Sequence, residues 1–128
     1  MIFKELKIRD KKGNILFTAC AETFTELIEK AIKNDISLEG GDFKDSVLCY
    51  GKFQNGNFKD ADFEGANLQF CNFSNSNLQN ANCRKVNLYN ANLSYVSARN
   101  INLQQAQLKQ VVFSNIDLEN ANLIETKF

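Results

Sequence analysis

The residues of this chain best suited to chemistry are four cysteines and fifteen carboxylates, and the chain contains no histidine. Histidine is the usual general base near neutral pH and the commonest metal ligand, so its absence excludes Ser–His and Cys–His nucleophiles. Cys20, Cys49, Cys71 and Cys83 form no C-x-x-C pair, and their spacing matches no zinc site. The sequence therefore predicts a protein that is not an enzyme and carries no cofactor.

Acidic side chains are clustered in one part of the sequence, between residues 42 and 64. They are Asp42, Asp45, Asp60, Asp62 and Glu64. Several carboxylate oxygens together could hold Ca²⁺. However, Lys44 and Lys59 stand among these acids, and no calcium-loop motif is present. We therefore predict a solvated mosaic of opposite charges with no bound metal.

The elements that position these side chains follow from an apolar period of five, which fits neither a helix nor a strand. From Leu38 to Phe128, seventeen of the nineteen positions five residues apart are Leu or Phe. Two residues before each of them lies a small or branched residue, such as Gly51, Ala61 or Val86. A fixed short period over such a length is typical of a solenoid, whose units bury their apolar sides against one another.

The repeated unit resembles the pentapeptide repeat family, whose motif is A(D/N)LXX. It is visible here as ADFEG, ANLQF, ANLSY and ANLIE, and the resemblance covers residues 36–128 without a gap. The resemblance implies an all-β fold, a right-handed quadrilateral β-helix in which four pentapeptides make one square coil. The length of this segment then corresponds to about 4.5 coils.

Residues 1–35 lack the period and are predicted to form a separate N-terminal cap. FKELKIR and NILFTAC, joined by DKKGN, indicate a β-hairpin. Thr23 and Glu26 can form a capping box for an amphipathic helix that ends near Asn34. A solenoid needs its first coil covered, so we expect the hairpin and helix to cover the repeat domain at 36–128.

Two surfaces are candidates for contact with other proteins. Tyr50, Phe70 and Tyr89 are expected to adjoin on one wall of the solenoid and could form a partner face. The alternative is that they are ordinary exposed aromatics that stack along the wall. At the other end, the last core positions would lie near an open apolar face, and a second copy would cover it as a homodimer. These positions include Leu118, Leu123 and Phe128.

Charge and hydropathy limit the other classes of partner. Fifteen acids balance fifteen bases, so binding to nucleic acid is not expected. No apolar run reaches the roughly 18 residues of a membrane span, and the start does not resemble a signal peptide. The unpaired cysteines indicate the cytoplasm, and the high content of Asn, Lys, Ile and Phe indicates an AT-rich genome such as that of a bacterium or phage.

The best-known activity that the resemblance implies is binding of DNA gyrase and topoisomerase IV by mimicry of B-DNA, which underlies fluoroquinolone resistance. A rod of this length would need roughly 13 negative charges to match the duplex. Residues 36–128 carry nine acids and eight bases, a net charge of −1. The sequence therefore favours a non-catalytic scaffold that binds an unknown protein, with topoisomerase binding as the alternative.

Overall fold

The chain begins with a β-hairpin. The computed structural model describes residues 2–128, in which strand β1 (Lys4–Arg9) pairs antiparallel with strand β2 (Ile15–Ala21). The Asp10 carboxylate closes the turn by accepting hydrogen bonds from the backbone N–H groups of Lys12 and Asn14, both at 2.9 Å. Within 2–128 no helix is long and apolar enough to cross a membrane.

Helix α1 (Phe24–Lys33) follows the hairpin directly. The Thr23 side chain accepts a hydrogen bond from the backbone N–H of Glu26, as an N-cap residue should. Leu27, Ile28 and Ala31 fall on one face of the helix and are buried. The helix therefore packs against the rest of the chain through one apolar stripe.

A solenoid with a coil of twenty residues occupies the rest of the chain. Parallel β-bridges join residues twenty apart, and each coil contains four bridged positions separated by four turns. Four walls result, which we number by their bridged residues. Wall 1 contains Asp42, Asp62, Asn82, Asn102 and Asn122; wall 2 contains Val47, Asn67, Asn87, Gln107 and Lys127; wall 3 contains Lys52, Asn72, Asn92 and Val112; wall 4 contains Asn57, Asn77, Ser97 and Asp117.

The apolar column of period five fills the interior of the solenoid. Its members from Leu38 to Leu108 are all buried. Most phenylalanine pairs of the first coils meet edge to face, as Phe53 and Phe73 do at a centroid distance of 5.4 Å, whereas Phe43 and Phe63 are stacked. The neighbouring small column is matched in size, because a β-carbon on Gly51 would lie 2.7 Å from Phe53 Cε1. Large and small positions together give the interior its close packing.

At the corners between walls, every fifth residue must adopt the left-handed backbone conformation. Seventeen non-glycine residues between Asp35 and Glu125 have φ between 57° and 66° there. Ten of these seventeen are Asn or Asp, the residue types that tolerate this conformation best. Asn side chains on the walls also accept hydrogen bonds from the N–H group two residues later, as Asn92 does from Ser94 at 2.9 Å. The repeat motif is thus largely a solution to turn geometry.

The hairpin and α1 lie against the first coil. The carbonyl of Arg9 accepts a hydrogen bond from the Asp42 N–H at 2.8 Å, on wall 1. The Glu29 carboxylate accepts one from the Lys52 N–H, also at 2.8 Å, on wall 3. In later coils the equivalent wall N–H groups bond to the carbonyl of the preceding coil. Hence groups from the N-terminal segment replace a preceding coil at two walls.

Candidate protein-interaction surface

Three aromatic rings meet at the corner between walls 2 and 3, which we call the aromatic corner. Tyr50 stacks on Phe70 with a centroid distance of 4.8 Å and an interplanar angle of 4°. Phe70 meets Tyr89 edge to face at 5.6 Å. Tyr50 is 69% exposed, Phe70 is 38% exposed and Tyr89 is half-buried. The structure therefore brings all three candidate residues of the partner face into one continuous surface.

The positions of these rings follow from the coil length. Because bridges join Val47 to Asn67 and Asn67 to Asn87, the turns that follow them stack above one another. Tyr50 and Phe70 occupy the left-handed position of the turn, with φ of 65° and 63°. A bulky residue there costs roughly 1–2 kcal/mol relative to ordinary backbone. Both aromatic residues thus sit where the fold alone would favour Asn.

Val47 extends this surface, and the sequence interpretation missed it. It is 73% exposed on wall 2, three residues before Tyr50. The signal was present, because Val47 occupies the column in which Asn or Asp predominates. Tyr95, in contrast, is separated from the aromatic corner: it lies in the turn between walls 3 and 4, 60% exposed, with φ of 60°.

The acidic residues lie elsewhere, around walls 1 and 4. Glu64 lies between two bases, with its carboxylate 2.7 Å from Arg84 Nη1 and 3.6 Å from Lys44 Nζ. The hydrogen bond from Arg84 and its positive charge hold the pKa of Glu64 below the usual carboxyl range. Asp62 accepts hydrogen bonds from Asn82 and from the Glu64 N–H. Across residues 2–128, no cluster of three or more Cys, Asp or Glu side chains could hold a metal ion.

The cysteines divide between the interior and the surface. Cys71 and Cys83 are buried in the two core columns, and burial raises the pKa of each thiol to about 12. The Cys71 Sγ donates a hydrogen bond to the Leu48 carbonyl at 2.9 Å. Cys20 is exposed and Cys49 is partly exposed, next to Tyr50. The two core thiols are therefore protonated at neutral pH and act as small apolar side chains.

The last coil presents the candidate dimer end. Phe128 is 72% exposed, Leu123 is 39% exposed and Leu118 is partly exposed, although all three occupy the core column. Phe113 and Phe128 face each other with a centroid distance of 6.2 Å. The apolar interior is therefore accessible at this end of the chain.

The family of the chain is established by a match to the model of the pentapeptide repeats, eight copies of which span residues 57–94, 66–105 and 101–128. The matched segments cover more than half of the chain, and the chain belongs to the pentapeptide repeat family. The predicted family and the solenoid class of fold are thereby confirmed. Among curated protein sequences, none matches the chain significantly.

Solved structures of similar fold include QnrB1, a plasmid-mediated fluoroquinolone resistance protein, in a trypsin-treated form. It is 21% identical, with a TM-score of 0.56, and the match covers 70% of this chain and 48% of QnrB1. This chain thus spans about half the length of QnrB1, and at this identity the likeness shows the fold alone.

Two further pentapeptide repeat proteins align less closely. Rfr23 from the cyanobacterium Cyanothece 51142 is 23% identical, with 95% of this chain and 78% of that one covered and a TM-score of 0.39. A protein from the thylakoid lumen of Arabidopsis thaliana is 25% identical, with coverages of 70% and 63% and a TM-score of 0.37.

Proposed function

We propose that this protein is a non-catalytic interaction module that binds a partner protein through the aromatic corner formed by Tyr50, Phe70 and Tyr89. The observation that carries the proposal is the stacked pair of Tyr50 and Phe70, exposed and held in a left-handed backbone conformation. Aromatic residues provide most of the binding energy in many protein interfaces. A strained and exposed pair that adds nothing to the core is explained by such a role.

The scaffold that presents this corner is, in our proposal, a right-handed quadrilateral β-helix of about 4.5 coils at residues 36–128. Residues 1–35 form its N-terminal cap. The replacement of coil-to-coil hydrogen bonds by Arg9 and Glu29 supports this division. The four free cysteines support a reducing compartment such as the cytoplasm.

We also propose that this chain forms a homodimer through its last coil. Leu118, Leu123 and Phe128 would be covered by the same residues of a second copy, in an arrangement with two-fold symmetry. The exposed apolar interior at this end supports the proposal, because burial of apolar area is the main driving force of association.

The topoisomerase alternative has only the fold in its favour. The likeness to QnrB1, a fluoroquinolone resistance protein, does not extend to a DNA-like charge, since residues 36–128 have a net charge of −1. We expect the purified protein to leave gyrase supercoiling unchanged, with or without a fluoroquinolone. Inhibition of supercoiling, or protection of gyrase from the fluoroquinolone, at low micromolar protein would refute our proposal in favour of topoisomerase binding.

Site-specific photocrosslinking tests the aromatic corner directly. A photoreactive phenylalanine analogue is placed at Tyr50 or Phe70 and, as a control, at Asn100, which is exposed, has the same backbone conformation and lies on the corner between walls 4 and 1. We expect positions 50 and 70 to capture the same protein from cells of the source organism, and position 100 to capture none. Excess unlabelled protein should abolish the adduct, whereas the Tyr50→Asn, Phe70→Asn variant should not. Equal labelling from position 100 would refute the assignment.

A further inference from the structure

The carboxylates of the solenoid are confined to one half of its circumference. All nine acids of residues 36–128 lie on walls 1 and 4, on the corner between those walls and on the corner between walls 1 and 2. The other half consists of walls 2 and 3, the aromatic corner and the corner between walls 3 and 4. It comprises residues 46–56, 66–76, 86–96, 106–116 and 126–128, and we call it the acid-free half.

Folding does not require this separation. Outward positions on all four walls alternate with the same buried columns, so a carboxylate fits equally well on any wall. From the N-terminal segment, Glu29 of α1 reaches wall 3, where its carboxylate is bonded to the Lys52 N–H. The exclusion of acids from walls 2 and 3 therefore calls for an explanation outside the fold.

The acid-free half has the composition of a protein interface. Its outward residues are mainly Asn, Gln and Ser, together with the aromatic rings, Val47, Val112 and Cys49. Depletion of charge with enrichment of aromatics marks the centre of interfaces, and Tyr, Ser and Asn are the residues that paratopes favour. The surface therefore extends from the aromatic corner over both neighbouring walls.

The only charges on the acid-free half are positive. Lys52, Lys109 and Lys127 are all exposed, and within residues 2–128 none of them takes part in an ion pair. Lys109 occupies the turn position of Tyr89 one coil further along the aromatic corner. A partner that bears carboxylates would meet three unpaired cations there, and the Glu29 carboxylate that reaches wall 3 is already bonded to the Lys52 N–H.

From this charge separation we propose that the acid-free half binds an acidic protein segment, whose carboxylates pair with Lys52, Lys109 and Lys127 around the aromatic corner. The proposal rests on the proposed function, of which it names the partner chemistry. A nucleic acid fits less well, because three dispersed lysines make no dense phosphate-binding patch. Moreover, Tyr50 and Phe70 already stack on each other at 4.8 Å, which leaves no gap for a base between them.

Selection from a displayed library of random peptides tests the proposal without knowledge of the partner. The immobilised protein selects peptides, which are then titrated by fluorescence anisotropy at low salt. The test variant carries Lys52→Glu, Lys109→Glu and Lys127→Glu. The matched control carries Lys44→Glu, Lys59→Glu and Lys85→Glu, which change the charge equally on the other half. A third variant combines Tyr50→Asn with Phe70→Asn.

We expect the selected peptides to be acidic and to contain aromatic residues. The test variant should bind them roughly ten-fold more weakly, and the control variant should bind within about two-fold of the original protein. Neutral or basic peptides, or equal losses in the two lysine variants, would overturn the inference. If the selected peptides were neutral or basic but still bound more weakly to the Tyr50 and Phe70 variant, the proposal of the aromatic corner would be supported and only the proposal of an acidic partner would be refuted. If no selected peptide depended on either set of residues, both proposals would fail.

Single-stranded oligothymidylate, labelled with a fluorophore, provides the nucleic-acid arm of the test. We expect no saturable binding at physiological salt. Binding that the Lys52, Lys109 and Lys127 reversal abolishes, but the control reversal preserves, would overturn the inference in favour of a nucleic-acid surface.

Discussion

The size match between the two core columns can be tested at Gly51 and Phe53. A β-carbon added at Gly51 would lie 2.7 Å from Phe53 Cε1, and closer still to Cζ and Cε2. Phe53 is fully buried, and its ring is held edge-on by Phe58 at 6.0 Å and Phe73 at 5.4 Å. Gly51 does not have a positive φ, so alanine meets no backbone obstacle there. The substitution Gly51→Ala therefore isolates the steric contact.

The magnitudes follow from core packing. Gly51→Ala should destabilise the protein by about 1–3 kcal/mol, because the ring must move within a filled interior. Phe53→Leu alone should cost roughly 1–2 kcal/mol through the space that it leaves. The two changes together recreate the natural pair of Ala66 and Leu68. We expect the double variant to be at least about 1 kcal/mol more stable than the sum of the single effects predicts.

Urea denaturation monitored by circular dichroism gives the four free energies of unfolding, with thermal unfolding as a second measurement. The pair of Ala61 and Phe63 in the same chain shows that alanine and phenylalanine can coexist in these columns. If Phe53 can adopt an equivalent orientation, Gly51→Ala will be nearly neutral and the effects will be additive. That result would refute the idea that the size of each residue in one core column is determined by its neighbour in the other column.

Four further outcomes can be measured, three on variants with a single substitution and one on the unmodified protein. Tyr95→Asn should raise the free energy of unfolding by about 1 kcal/mol, because Asn tolerates the left-handed turn; a loss of stability would contradict this. Glu29→Ala should lower the free energy of unfolding by about 1 kcal/mol, because it removes the acceptor of the Lys52 N–H on wall 3. Glu29→Gln should cost less, since the amide oxygen can still accept this hydrogen bond. Equal costs for the two substitutions would argue against a stabilising hydrogen bond at Glu29. Phe128→Lys should give monomers by light scattering, whereas an unchanged mass would exclude this dimer end. In the folded protein the pKa values of the Cys71 and Cys83 thiols are raised to about 12 from 9.0, so the unfolded state loses the two thiol protons at lower pH. The free energy of unfolding should therefore fall as the pH rises from 9.0 towards 12. A flat profile in this range would count against the burial of the two thiols.

The repeating part of the structure could be predicted because one periodic rule fixes it. The period of five identified the buried column from Leu38 to Leu108. A step of twenty, the length of one coil, likewise places Lys44, Glu64 and Arg84 in one column, and the structure contains the two ion pairs of this column. Stacked positions are neighbours whatever their rotamers, which is why sequence spacing is sufficient here.

Contacts that depend on side-chain reach could not be predicted in this way. Arg99 pairs with Glu119, twenty residues further on, as the coil length predicts, but it also pairs with Asp117, eighteen residues away. Glu29 reaches a wall from a helix that has no fixed register with the repeat. Both contacts depend on rotamers and on the docking of the N-terminal segment, which the repeat period does not encode.

The coil length also limits which changes of chain length the protein tolerates. Removing one or two residues from a coil would shift every later core position and should abolish folding. Removing five would keep the core columns in register, yet every later wall would turn by a quarter of the circumference. Later segments of the acid-free half would then stack on a wall with carboxylates. Only insertions or deletions of twenty residues preserve both the core and the arrangement of the surface, so whole coils are the units by which such a protein can lengthen or shorten without losing its binding face.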